Sequence, residues 1–369
     1  MEHEDLGPRA ARPMVVRVPV EPVEAVVEAD AADAAARAGG LALRGPLFGV
    51  ASLDADSPGT ASPDGGDRPR WRVVTAVTSG CPQQARDSLN SLLWFRAKDG
   101  ARDRAERRAL LAAVARLESE RVDDLTVAGV RYRIVRAEEY AVTDPDGMEL
   151  PRATDPEPLV PDWGHGGREG PRIDDGLVLD PAAPVTPTEA LEQLALRDMC
   201  YTGARFPAHV RGDSRRALRT HPDVLLLPTA FTVVERTDGG WESVSGPHPS
   251  AHDARRSLEF ALTWAWPRMR GLIPIDHHTD SDARTVTAEG GAAAPELAEY
   301  AEAADRLRAG RVNQLEFQGT LHQIARTRRL VRWGPDGPEG PRPSDVNGHP
   351  PERIHPDLDE DGNMLPETS

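Results

Sequence analysis

The octapeptides PDGMELPR, at residues 145–152, and PDGPEGPR, at residues 335–342, are nearly the same sequence written twice in one chain. The similarity continues upstream without a gap, so that RVDDLTVAGVRYRIVRAEEYAVTDPDGMELPRATD at 121–155 aligns with RVNQLEFQGTLHQIARTRRLVRWGPDGPEGPRPSD at 311–345. Self-similarity of this length is weighed before single elements are assigned, because each copy of a repeated unit is expected to fold alike. The alignment predicts an internal tandem duplication.

Two further blocks agree in the same order along the chain. ARDSLNSLLWF at 85–95 matches ARRSLEFALTW at 254–264, and the letters DGG precede a tryptophan in both copies. In the second copy, β-branched and aromatic residues flank Asp238 and Gly239 on both sides. This pattern is typical of a β-hairpin with a tight turn, so each copy is expected to begin with a hairpin.

Two helices are predicted after this hairpin. Ala85, Leu89 and Leu93 recur at the spacing that places apolar residues on one helical face, and Leu110 and Val114 begin a second stripe. The corresponding apolar positions of the second copy are Ala254, Leu258, Ala261, Leu262 and Ala265 for the first helix, and Leu297, Tyr300, Ala301, Ala304 and Leu307 for the second.

A second hairpin closes each copy, with Gly129 and Gly319 at positions where a tight turn favours positive φ. The Pro-Asp-Gly that follows is an exit turn, because proline presets φ and glycine permits the reversal. We therefore predict an α+β protein built from two ββααββ modules. Each module is expected to form its own antiparallel sheet covered by a helix pair, with the two modules related by a pseudo-two-fold axis.

The domain organisation follows from this repeat. We assign residues 15–142 to the first α+β repeat and residues 188–345 to the second. Residues 143–187 are rich in proline, glycine and aspartate and are predicted to form an extended linker. Residues 271–292 are an insertion between the two helices of the second repeat, and residues 346–369 form a polar tail.

Composition excludes several classes of protein. The 369 residues carry a formal net charge of −16, which argues against a uniformly basic nucleic-acid surface or adsorption to an anionic membrane. No apolar run is long enough to span a bilayer, and the start of the sequence has no signal-like apolar core. Cys81 and Cys200 have no CxxC spacing, so we expect two free thiols in a cytoplasmic protein.

The insertion carries the most concentrated metal-binding chemistry in the sequence. Asp276, His277, His278 and Asp280 combine carboxylates and imidazoles that could bind Zn²⁺ or Mn²⁺. The phrase IPIDHH resembles the Asp-His-His signature of the DHH phosphoesterases, but the other motifs of that family do not occur in this chain. A solvated acidic loop is the competing interpretation, and apart from this possible divalent metal no cofactor is expected.

Two further groups are candidates for binding a partner. Trp264 and Trp266 lie on the first helix of the second repeat and would form a docking patch if both faced outward. Arg328 and Arg332 belong to an arginine row on the closing hairpin that could hold phosphate or carboxylate groups. Core packing for the tryptophans and structural ion pairs for the arginines are the alternatives.

The closing phrase WGPDGPEGPRPSD, with HPDLDEDG in the tail, resembles a family of uncharacterised actinobacterial proteins. The resemblance covers most of the chain. It implies a cytoplasmic bacterial protein from a GC-rich genome, in agreement with Lys98 being the only lysine beside many arginines. It implies no catalytic residues.

We expect a non-enzymatic binding or regulatory protein that holds an unknown protein or small ligand. It would use the groove between its two repeats, the outward face of the sheets or the Trp-bearing helices. One alternative is a metal-dependent phosphoester hydrolase that uses the insertion. The other is a nucleic-acid adaptor that uses the arginine-rich hairpins, although the net charge makes a nucleic-acid partner unlikely. No membrane partner is expected.

Overall fold

The computed structural model describes residues 12–54, 70–144, 146–164, 173–290 and 292–365. Its helices are α1 (Pro22–Arg37), α2 (Pro82–Phe95), α3 (Arg104–Leu117), α4 (Pro187–Arg197), α5 (Ala208–Thr220), α6 (Ala251–Phe260), α7 (Trp266–Met269), α8 (Ala283–Glu289) and α9 (Ala294–Ala309). A π-helical turn extends α2 over Arg96–Gly100, and another joins α6 to α7 over Ala261–Ala265. Within the described ranges, no helix is both long and apolar enough to cross a membrane.

The strands are β1 (Gly40–Asp54), β2 (Trp71–Ser79), β3 (Asp124–Val127), β4 (Val130–Asp144), β5 (Gly147–Met148), β6 (Val178–Leu179), β7 (Asp223–Leu226), β8 (Ala230–Thr237), β9 (Gly240–Ser243), β10 (Gln314–Phe317), β11 (Thr320–Gly334) and β12 (Gly337–Pro338). They form one antiparallel sheet whose main path runs β6-β2-β1-β4-β11-β8-β9. The remaining short strands pair with β4 or β11. The fold is therefore mixed α+β around one large antiparallel sheet.

The expectation of two separate sheets is wrong. β4 and β11 pair with each other through the middle of the molecule, from Thr327↔Ala141 to Val331↔Ala137. Each of these strands is 15 residues long, about 50 Å at roughly 3.3 Å per residue. One end of each strand can therefore pair with its own hairpin partner while the middle pairs with the other long strand. Joining the sheets satisfies backbone groups that two separate edges would leave open.

The elements of the two halves follow a similar order. The first half, residues 40–144, contains β1, β2, α2, α3, β3 and β4. The second half, residues 223–334, contains β7, β8, β9, α6, then α7 and α8, and finally α9, β10 and β11. The predicted apolar faces are largely confirmed, because Ala85, Leu89 and Leu93 are buried in one core and Ala254 and Leu258 in another.

The predicted turns are also present. β8 and β9 pair on either side of Asp238 and Gly239. Gly129 and Gly319 have φ values of 81° and 78°, which lie in the left-handed region that glycine tolerates best. Pro145, which opens the first octapeptide, lies outside the described residues.

The chain that follows each long strand crosses to the opposite half. We call residues 146–164 the first arm and residues 337–365 the second arm. Arg326 N of the second half donates to Glu149 O of the first arm, at 2.8 Å. Arg136 N of the first half donates to Glu339 O of the second arm, at 2.9 Å. Further along the second arm, Trp94 Nε1 donates to Pro356 O at 2.9 Å and Leu358 joins the first core. The start of the predicted linker and this part of the predicted tail are thus packed against the body of the protein.

Candidate functional site

A cavity of about 870 Å³ lies between α1, α4 and the middle of the sheet. Its floor is formed by β4 of the first half and β11 of the second half, so both halves contribute to it. The lining side chains used below are Val23, Val27, Glu28, Ala31, Ala34 and Ala35 from α1, Glu189, Leu191, Glu192 and Ala195 from α4, and Tyr140, Arg326 and Arg328 from the sheet. Its volume falls within the range typical of small-molecule sites.

The walls of the cavity are apolar and formed largely by small side chains. On α1, Val23, Val27, Ala31 and Ala35 recur every four residues and lie on one face of the helix. Leu191 of α4 lies on the opposite wall and is 68% exposed. Because alanine has a short side chain, Ala31 and Ala35 leave open the space between the helix and the sheet.

The floor carries an ionic group centred on Arg328. Its Nη1 donates to Glu192, whose other carboxylate oxygen accepts a hydrogen bond from the Tyr140 hydroxyl at 2.6 Å. Its Nη2 is 3.8 Å from the Glu189 carboxylate, which is beyond hydrogen-bond distance. Its Nε is buried and has no hydrogen-bond partner among the described residues. Arg328 therefore has donor capacity that its neighbours do not use.

Burial raises the pKa of two neighbouring groups, Tyr140 and Glu189. It raises the pKa of Tyr140 well above its usual value, and the adjacent Glu192 carboxylate adds to this effect, so the phenol remains a donor. It also raises the pKa of Glu189, although the positive charge of Arg328 acts in the opposite direction. Glu189 is thus easier to protonate than an exposed glutamate.

The first arm closes one end of the floor. Asp155 accepts from Arg326 Nε at 3.2 Å, and Thr229 accepts from Arg326 Nη2 at 2.8 Å. Glu149 accepts from Arg152 at 2.5 Å. Unlike Arg328, the guanidinium of Arg326 is therefore held by a carboxylate and a hydroxyl on two of its nitrogens.

The residue of the first half that aligns with Arg328 in sequence is enclosed by other side chains. Arg136 contacts Asp345 of the second arm at 3.0 Å, in the way that Arg326 contacts Asp155 of the first arm. Residue 138, which aligns with Arg328 at the sequence offset of 190, is a glutamate. Glu138 is buried and accepts from Arg136, from Arg342 and from the Tyr201 hydroxyl. Glu138 is thus enclosed by its partners, whereas Arg328 lines an open cavity.

Helix α1 is attached to the rest of the molecule mainly by polar contacts. Among its residues only Ala34 is buried. Glu28 accepts from the backbone N and the hydroxyl of Thr188, both at 2.7 Å, and Asp30 accepts from the Thr154 hydroxyl. Burial tends to raise the pKa of Glu28, but hydrogen bonds from Thr186 and Thr188 outweigh it and lower the pKa. The helix covers the cavity without being buried in a core.

The proposed metal ligands lie in an exposed loop before α8. His277 Nδ1 is 3.0 Å from the Ser281 hydroxyl, and Asp280 N donates to His278 Nδ1 at 3.3 Å. The Asp280 carboxylate is 3.7 Å from His278 Nδ1, while Asp276 is exposed. Across the described ranges, no three His, Cys, Asp or Glu side chains are grouped so that they could hold a metal ion.

The predicted partner-binding residues are dispersed. Trp264 is stacked on Phe260 and donates to Thr279 O, and the Arg268 guanidinium lies over its ring. Arg332 is 2% exposed and donates to the carbonyl oxygens that end α4, so it has almost no surface to offer a partner.

Trp266 packs beside Phe317 and His322, with ring centroids 6.3 and 5.2 Å away, and lines a second pocket of about 460 Å³. Arg328 alone among the four predicted partner-binding residues lies in the central cavity.

Sequence reasoning missed the other residues of the cavity floor. Glu189 and Glu192 are three positions apart on α4, so they fall on one helical face, which was a usable signal. That they face Arg328 and Tyr140 depends on the crossing of distant elements, which no local pattern encodes.

Comparison with known proteins bears on family but not on activity. No curated protein and no solved structure matches the chain. The predicted resemblance to a family of unknown function is confirmed by a family model that matches residues 21–348. The chain belongs to the family of unknown function DUF5954.

Proposed function

We propose that this protein is a non-enzymatic binding protein that holds a small ligand in the cavity between α1, α4 and the sheet. The observation that carries the proposal is the asymmetry of the two halves. Arg136 and Arg326 each pair with an aspartate of an arm, yet Glu138 and Tyr201 fill the space beside Arg136, whereas about 870 Å³ beside Arg326 stays open. An open volume of this size beside polar floor groups is the usual form of a ligand site.

The covering helix supports the same proposal. A ligand must enter, and an element that buries little apolar surface can move away at small energetic cost. Helix α1 buries Ala34 and exposes Val23, Val26 and Val27 to at least 45%. A ligand in the cavity would cover the two of these valines that line it, Val23 and Val27.

A neutral dye whose fluorescence rises in apolar surroundings, N-phenyl-1-naphthylamine, tests the proposal. We expect it to bind the native protein and to bind Ala31→Phe at least about tenfold more weakly, because the added ring fills the cavity. Ala29→Phe is the matched control, since Ala29 is exposed on the same helix and does not line the cavity. Failure of the dye to bind, or equal binding by both variants, would refute the proposal.

We also infer that the two halves arose by duplication of a ββααββ module. The β4–β11 pairing is centred on Glu139 and Arg329, which are equivalent at the offset of 190. The reciprocal arms support the same inference, because Arg136 and Arg326 are also equivalent residues with equivalent partners. Duplication would explain how one copy can retain a packed centre while the other acquires a ligand.

The alternative functions have less support. In the described residues, no contact favours a metal-dependent hydrolase over the binding protein, because Asp276, His277, His278 and Asp280 do not converge. Metal content measured by elemental mass spectrometry, with His277→Ala as the control, tests that hypothesis directly. Near-stoichiometric zinc or manganese that is lost in the variant would favour hydrolysis.

The nucleic-acid adaptor is opposed by the charge of −16 and by the pairing of Arg131 and Arg133 with Asp124 and Asp336. Salt-dependent binding of DNA or RNA would support it. A cytoplasmic, actinobacterial setting remains our proposal, supported by the free thiols of Cys81 and Cys200 and by the arginine-rich composition.

A further inference from the structure

The cavity has a shape and a set of floor groups that restrict the chemistry of its ligand. This inference rests on the proposed function, because it concerns the same cavity. We propose that the ligand is a single-chain amphiphile with a carboxylate head, whose head binds Arg328 and whose hydrocarbon chain lies along α1.

The length of the cavity favours a chain over a compact ring system. Its lining residues on the α1 side run from Val23 to Ala38, which is about 22 Å at ~1.5 Å per helical residue. An extended hydrocarbon chain of about a dozen carbons fits within that length. The walls along this path are Val23, Val27, Ala31 and Ala35 on one side, with Leu191 on the other.

Arg328 defines the position of the head. It lies under the apolar walls, and its side chain is 17% exposed. Its Nη2 has only a carboxylate at 3.8 Å, and its Nε is buried without a partner among the described residues. The Nη2 group can therefore donate a charge-assisted hydrogen bond to a ligand carboxylate.

The neighbouring charges explain why one negative charge fits and a positive charge does not. Glu192 neutralises part of Arg328 and is also held by the Tyr140 hydroxyl, so it stays in place. Glu189 is the weaker partner, and protonating it or moving it aside leaves Arg328 free for a ligand carboxylate. A cationic head would have to displace Arg328 from two acidic side chains, in a floor that also contains Arg326.

The contacts of Arg326 limit how much negative charge the head of the ligand can carry. Its Nε and Nη2 are already engaged by Asp155 and Thr229. Its Nη1 lies 3.7 Å from the Glu149 carboxylate, so Arg326 is already surrounded by acceptors. Of these two floor arginines Arg328 is the one left to bind a ligand, and a single guanidinium matches a monocarboxylate better than a phosphate monoester with up to two negative charges.

Isothermal titration of the full-length protein with dodecanoate, dodecan-1-ol and dodecylammonium tests this inference. We expect dodecanoate to bind most tightly. Arg328→Met should weaken dodecanoate binding by about 10-fold to 100-fold, as expected for loss of a charge-assisted hydrogen bond, and should leave dodecan-1-ol binding within about twofold. Arg215→Met, an exposed arginine on α5, is the matched control for the change in net charge.

A second variant keeps the test decisive if Arg328→Met fails to fold. Glu189→Gln removes the carboxylate nearest the free edge of Arg328 and should tighten dodecanoate binding about threefold or more. Equal binding of dodecanoate and dodecan-1-ol, unchanged by both substitutions, would overturn the carboxylate head and leave the binding function standing. Preferred binding of dodecylammonium would also overturn it. Failure of the naphthylamine dye to bind is the separate result that refutes the proposed function itself.

Discussion

At the scale of single residues, several buried arginines are held by carboxylates from a distant part of the chain, and Arg136 is one of them. Arg136 is 2% exposed and contacts Glu138 at 2.5 Å and Asp345 at 3.0 Å. Its neighbours raise the pKa of Arg136 despite the opposing effect of burial, which is the largest single influence. Such pairs are costly to break, because the remaining charge is left in a poorly solvated place.

Substitution of Asp345 should therefore destabilise the protein strongly. Asp345→Ala removes the acceptor for Arg136 Nε and for Arg342 N, and we expect a loss of about 3–5 kcal/mol in the free energy of unfolding. Urea denaturation measures it. Asp345→Asn is the comparison, because it retains an acceptor and should lose less. A loss below about 1 kcal/mol for Asp345→Ala would show that the ion pair with Glu138 alone is sufficient to stabilise the buried charge of Arg136.

The hydrogen bonds of Glu106 predict how the stability of the fold depends on pH. The hydrogen bonds from Arg102 and Arg96 lower the pKa of Glu106 to about 2, so the folded state favours the ionised form. The stabilisation is complete above the unfolded pKa of 4.5 and is lost as the pH falls from there through about 2. Glu106→Gln should cost about 1–2 kcal/mol at pH 7 and progressively less below pH 4.5. A difference that stays constant between pH 7 and pH 3 would contradict this assignment.

At the scale of elements, periodicity predicted those that bury a continuous apolar face. The α2 and α3 faces were evident because Leu89, Leu93, Leu110 and Val114 follow helical spacing and form one core. The sequence did not indicate that helix α1 covers a cavity. Alanine and valine occur in many environments, and nothing in residues 22–37 specifies which surface the helix lies against. The joining of two sheets into one was missed because strand pairing across the molecule depends on long-range register.

Helix α1 should be the least protected long helix near the cavity. Its attachment by Glu28 and Asp30, with Ala34 alone buried, predicts that its amides exchange with deuterium much faster than those of α2. Hydrogen-exchange mass spectrometry measures this difference. Glu28→Gln should increase exchange in α1 further while α2 remains unchanged. Protection of α1 equal to that of α2 would mean that the helix does not open to admit a ligand.

At the scale of the whole molecule, the crossed arms link the two halves in both directions. The first arm brings Glu157 to Arg255 on α6, and the second arm brings Asn347 to Arg86 on α2. Glu157 and Asn347 align in sequence at the offset of 190, and Arg86 and Arg255 align in the block that begins at Ala85 and Ala254. The second arm continues to Trp94, whose ring stacks on His355 with centroids 4.6 Å apart, and adds Leu358 to the first core. Each half is therefore completed by chain that emerges from the other.

Because the arms cross, we predict that shortening the arm that follows the second half destabilises the first half. Ending the chain at Gly348 removes His355 and Leu358 from the first core, so α2 and α3 should lose protection in hydrogen exchange while α9 keeps it. The matched perturbation is Glu157→Gln in the first arm, which weakens the partner of Arg255 and should raise exchange in α6 instead. The physical reason is that the removed residues His355 and Leu358 pack on the first half, whereas Glu157 pairs with Arg255 on α6 of the second half. Loss of protection in α9 after the truncation, or in α2 after Glu157→Gln, would show that the arms do not stabilise the halves in this reciprocal way.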